Sequence, residues 1–110
     1  MNESEFRLHL QIETSVLEVW ISEGWLVPEE TDQGRNFREA DIARGRLILD
    51  LDRAMGLNEP GVDVVMDLVD QLHSLRATLR DLTDAVCRQP IDVQEHILSE
   101  LTRVESRRRR

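Results

Sequence analysis

Five aspartates, Asp63, Asp67, Asp70, Asp81 and Asp84, recur at spacings that gather them on one side of a helix. Asp50 and Asp52 stand a short way upstream and extend the patch if neighbouring helices pack side by side. The chemistry open to such a strip is electrostatic recognition: fixed carboxylates attract a cationic surface, speed its encounter and make that encounter salt-sensitive. A merely solvated helix face is the plainer reading of the same residues. Catalysis asks for more than this chain offers. It has no Gly-rich phosphate loop, no nucleophile with a nearby base and no carboxylate pair in a recognisable frame, so no enzyme is expected. Cys87 is the one cysteine, and soft-metal sites need two or more soft ligands. His9, His73 and His96 are scattered, so neither a metal nor a cofactor is expected.

The element that must carry the aspartates has a second face. Val65, Leu68, Leu72, Leu75, Leu79, Leu82 and Val86 step by three and four residues, the a/d pattern of a coiled-coil seam. With Val65 at position a, the five aspartates fall at c or f, away from the seam. A narrow apolar stripe needs a second helix to stay dry. That helix can come from another copy, giving a homodimer, or from the segment after Pro90 folded back as a hairpin. The C-terminal segment is too short to cover the whole seam, which favours the dimer.

The remaining elements follow from local signals. Residues 3–11 read as a helix, and Thr14-Ser15 is an N-cap site for a second helix over Val16 to Glu23, closed by Gly24. Trp25-Leu26-Val27 reads as a short strand stopped by Pro28, with Asp32-Gln33-Gly34 as a turn and Asn36-Phe37 as the return strand of a small wing. Glu39 to Met55 is a helix with Ile42, Leu47, Ile48, Leu51 and Met55 on one face, ended by Gly56. Asn58 caps the long helix, which admits Pro60 in its first turn and runs to about Arg88. Asp92 and Glu95 resemble a capping box for a short last helix with Val93, Ile97, Leu101 and Val104 on one face. Trp20 and Trp25 read as core residues joining helix to wing. The expected architecture is all-α with a small β-wing: a winged helix-turn-helix module over residues 1–57, a helical pairing region over 58–106 and a disordered arginine tail over 107–110.

Charge limits the partners. The 110 residues carry a net charge of −8, and four of the 14 basic residues, all arginines, are Arg107 to Arg110. Without that tail the rest stands near −12, which repels phosphate and disfavours duplex DNA. No apolar run is long enough to span a bilayer, Glu3, Glu5 and Arg7 interrupt any signal-peptide core, and a lone thiol suits a reducing compartment. A cytoplasmic protein without membrane contact is expected.

The strings Trp20-Ile21-Ser22-Glu23-Gly24-Trp25-Leu26-Val27-Pro28 and Asp41-Ile42-Ala43-Arg44-Gly45-Arg46-Leu47-Ile48 resemble MerR-type winged helices. Together with Met55-Gly56-Leu57-Asn58-Glu59, Gly61-Val62-Asp63 and Asp70-Gln71-Leu72-His73, they are similar to the CbpA-modulator branch of that superfamily. The resemblance covers roughly residues 16–80. It implies a MerR-like module that dimerises through the long helix, binds the J-domain of a CbpA/DnaJ-type co-chaperone and restrains its stimulation of Hsp70. J-domains carry a basic helix, so the acidic face, with Asp63, Asp67 and Asp70 foremost and Asp50 and Asp52 beside them, is the expected docking surface. DNA-reading MerR proteins offer Arg, aromatic and Arg groups from the second helix. The comparable positions here are Glu18, Val19-Trp20 and Ser22, and the wing opens on Pro28-Glu29-Glu30. A MerR-type transcriptional regulator is the rival reading, drawing on Arg35, Arg38, Arg44 and Arg46.

Overall fold

The structure is a computed structural model that describes residues 1–109. Arg110, part of the tail expected to be disordered, lies outside them. Helix α1 (Glu3–Leu10) starts at a capping box: Asn2 Oδ1 accepts the Glu5 N–H at 2.8 Å, and Glu5 Oε1 accepts the Asn2 N–H at 3.4 Å. Phe6 and Leu10, four residues apart, face inward while Leu8 stays exposed. Helix α2 (Thr14–Ser22) buries Leu17 and Trp20. Its N-cap is Glu13 rather than Thr14 or Ser15, because the Leu17 N–H already bonds the Glu13 carbonyl.

The end of α2 decides where the wing lies. Gly24 adopts φ +77°, its N–H bonds Ile21 O at 3.1 Å, and the Trp25 N–H bonds Trp20 O at 2.9 Å. These are the two bonds of a Schellman motif, and they satisfy carbonyls the helix leaves open. The backbone of Trp25 and Leu26 is thereby committed to the helix terminus, with both side chains buried. The wing is therefore shifted from the strands expected at 25–27 and 36–37. It pairs β1 (Glu29–Thr31) antiparallel with β2 (Gly34–Asn36), in the register Glu29–Asn36, Glu30–Arg35 and Thr31–Gly34. Asp32 and Gln33 form the turn, and Gly34 supplies φ +106°.

Helix α3 (Glu39–Leu49) passes into a π segment, Asp50–Ala54, in which the Met55 N–H reaches back to Asp50 O at 3.0 Å. The wider turn breaks the 3.6-residue period. Ile48 and Leu51 stay buried, but Met55, expected on the same inward face, is exposed. Gly56 then turns the chain at φ +67°. Helix α4 (Glu59–Cys87) begins where Asn58 Oδ1 accepts the Gly61 N–H at 2.9 Å. Helix α5 (Ile91–Arg108) starts one residue ahead of Asp92, after Pro90, so Asp92 sits in the first turn and is not the cap. It is also longer than the short helix expected, and Arg107 and Arg108 occupy its last turn.

Two compact units result, Met1–Val69 and Asp70–Arg110. The first holds the core: Phe6, Leu10, Ile12, Leu17, Trp20, Trp25, Leu26, Phe37, Ile48 and Leu51, completed by Val62 and Met66 from the first turns of α4. Phe6 stacks on Phe37 with centroids 4.2 Å apart. In the second unit Leu72, Leu75, Leu79 and Leu82 of α4 are exposed, and so are Ile91, Leu98, Leu101 and Val104 of α5. The internal hairpin left open by the sequence is thus not formed; neither helix dries the other's leucines.

Candidate functional site

Asp50 and Asp52 lie exposed on the π segment, and Asp63 and Asp67 lie exposed on α4, all within the first unit. Asp70, Asp81 and Asp84 lie exposed on the part of α4 that belongs to the second unit. They are not equivalent. Asp63 Oδ1 accepts the indole N–H of Trp25 at 2.9 Å, a bond that links α4 to the segment following α2. A buried indole needs an acceptor, and Asp63 supplies it. Asp67 and Asp70 also engage in polar or electrostatic interactions of their own.

Beside Trp25 the first unit has a shallow groove of about 200 Å³. Helix α2 contributes Val16, Val19 and Trp20 to it, Trp25, Ile48, Leu57 and Val62 complete the apolar lining, and Asp52 and Glu59 also line it. Among the described residues no basic side chain lines it. The sequence held part of this signal in the proximity of both tryptophans to Val16 and Val19, but only the fold brings Asp52 and Glu59 to them.

The seam residues divide by unit. Val65 is half-buried against the core of the first unit and Leu68 is exposed. In the second unit Leu72, Leu75, Leu79 and Leu82 are exposed, Leu75 at 64%, and Val86 is half-buried. Exposed leucines at regular a/d spacing form a surface that water solvates poorly.

The four arginines available to a DNA reader are all engaged. Arg35 of the wing donates from Nη1 to Glu18 Oε1 of α2 at 2.7 Å, with Glu3 and Glu30 each 3.6 Å away. The Glu18 hydrogen bond raises the Arg35 pKa further above its ordinary value. Arg38 donates to Glu29 Oε2 at 2.7 Å, and that bond holds the Glu29 carboxyl below its ordinary range. Arg44 Nε donates to the Trp25 carbonyl, and Arg46 lies 3.1 Å from His9 Nε2. The Arg35–Glu18 ion pair therefore ties the wing to α2. Cys87, the last residue of α4, is an exposed free thiol. Among the described residues no group of His, Cys, Asp and Glu side chains gathers as metal ligands would, and no helix is long and apolar enough to cross a membrane.

No curated protein and no solved structure matches the chain. A family model described as MerR HTH family regulatory protein matches residues 1–84, from α1 through most of α4. The capped helices, the two-stranded wing and the long helix that follows agree with that match, and the chain belongs to the MerR HTH family of regulatory proteins.

Proposed function

We propose that this protein is a chaperone modulator of the CbpA-modulator type. It binds the J-domain of a CbpA/DnaJ-like co-chaperone and blocks its stimulation of Hsp70. The observation that carries the reading is the ion pair of Arg35 with Glu18, which ties up the wing cation that a DNA reader would aim at phosphate. A carboxylate at that point of α2 and an acidic first wing strand both oppose DNA, whose binding depends on several unopposed phosphate contacts. The exposed carboxylates Asp50, Asp52, Asp63, Asp67 and Asp70 suit a basic helix instead. The activity is occlusion: the J-domain's basic helix, held against carboxylates, is unable to meet Hsp70. No catalysis and no cofactor enter it.

The working form is a homodimer paired through Leu68, Leu72, Leu75, Leu79, Leu82 and Val86, with Val65 at the edge of the seam where the first unit's core begins. Its action is assigned to the cytoplasm, in keeping with the lone thiol of Cys87. Reversing two charges tests the site. The double variant Asp67→Arg with Asp70→Arg is expected to lose J-domain binding in calorimetric titration. Unchanged affinity would remove the acidic face from the account. The rival reading is a DNA-binding regulator, which the family match accommodates equally well. It requires Arg35 and Arg38 to leave their carboxylates, and it predicts duplex DNA binding.

A further inference from the structure

We propose that the groove between α2, Trp25 and the start of α4 receives an apolar anchor from a basic amphipathic helix. This deepens the functional reading above and rests on it for the identity of the partner. Size argues first. Pockets for drug-sized ligands run to roughly 300–1,000 Å³, whereas this groove holds about 200 Å³. That space suits one inserted side chain of a protein partner better than an independent ligand. The walls argue second. Val16, Val19 and Leu57 offer accessible apolar surface, and the buried rings of Trp20 and Trp25 give the groove a rigid floor on which an interface anchor can pack.

Charge names the rest of the occupant. Asp52 and Glu59 are exposed carboxylates on the lining, and Asp63 is bonded to the Trp25 indole. A helix with Leu or Ile as its anchor and Lys or Arg one turn away on either side meets both the apolar walls and the carboxylates. The Asp63 hydrogen bond gives Asp63 a positioning role: it fixes the indole that forms one side of the groove. The cation-facing charges are then Asp52 and Glu59. The π segment contributes as well, since its exposed turn carries Asp52 next to Leu51, which stays in the core.

The probe is a synthetic amphipathic peptide with one Leu anchor flanked by lysines, beside a twin flanked by glutamates, and the purified J-domain in parallel. The full chain is used throughout, and the Trp25 indole N–H is followed by NMR. The lysine peptide and the J-domain should both shift that signal saturably, and the glutamate twin should not. Val19→Arg and, separately, Asp52→Lys should weaken both by roughly tenfold or more. These are exposed positions, so circular dichroism should stay as in the wild type. Lysine-peptide binding with an unmoved indole signal, or full affinity in both variants, would overturn the groove. J-domain binding that ignores both variants would also overturn it while leaving the modulator reading intact. A lysine peptide that fills the groove when the J-domain does not bind would keep the groove and sink that reading. An indole shift driven by protein concentration alone would mean that a second copy occupies the site, against the proposal.

Discussion

A Cβ placed on Gly45 would lie 2.5 Å from Leu10 Cδ1 and 3.2 Å from Trp20 Cζ3, so α3 meets α1 and α2 at a position that has no room for a side chain. Gly45→Leu should lower stability to urea by about 1–3 kcal/mol, the usual range for overpacking a core; an unchanged midpoint would mean that the helices part at little cost. Asp63→Ala removes the acceptor of a buried indole N–H and should cost about 1–3 kcal/mol, with a shift in Trp25 emission. Glu29 has its pKa lowered in the folded state by Arg38, so the pair contributes above the unfolded carboxylate pKa and is lost as pH falls through the folded one. Both groups are solvent-exposed, so global stability should barely respond, while the Arg38 guanidinium NMR signal should move as pH falls below the ordinary carboxylate range. An Arg38 signal that stays constant through that range would deny the pairing. The sequence displayed the carboxylates but not their partners. Glu18 meets Arg35 across 17 positions and Trp25 meets Asp63 across 38, and only the closed fold sets such distances.

The elements were legible where their signals are local. Gly24, Gly56 and Asn58 mark helix ends in the sequence, and each acts as one in the structure. The capping box of Asn2 with Glu5 that starts α1 emerges only in the structure. The wing lies later than the sequence suggests because Trp25-Leu26-Val27 has strand-like residues, while the N–H groups of Trp25 and Leu26 are claimed by the end of α2. Strand propensity describes side chains, and the prior commitment of the backbone decides the outcome. The π turn, which exposes Met55, had no sequence signal at all. For α4 the seam was plain, but its first turns serve two masters: Val62 and Met66 complete the core, while Leu68 begins the exposed stripe. Leu75→Asp with Leu79→Asp should therefore halve the mass seen in sedimentation while the tryptophan signals of the first unit stay unchanged. A mass that does not change would show that pairing does not run through the seam.

At the scale of the whole molecule, charge and fold point in different directions. The family's module is present, yet the chain carries 22 acidic residues against 14 arginines, and its wing cations are held by its own glutamates. An acidic body slows approach to phosphate and speeds approach to a basic surface, an effect that fades over a Debye length of ~8–10 Å at ordinary salt. Opening the wing offers a check on this balance. Glu18→Gln with Glu30→Gln frees Arg35 from two carboxylates and should raise any residual DNA affinity while leaving J-domain affinity within about twofold, since exposed pairs contribute little to stability. DNA affinity that stays flat would mean that Arg35 is not what restrains it. Partner choice is decided by calorimetric titration of the purified protein with the J-domain of a CbpA/DnaJ-type co-chaperone, at low and high salt and beside a duplex DNA control. Under the modulator proposal J-domain binding weakens as salt rises and DNA gives no heat. DNA binding without J-domain binding would overturn that proposal.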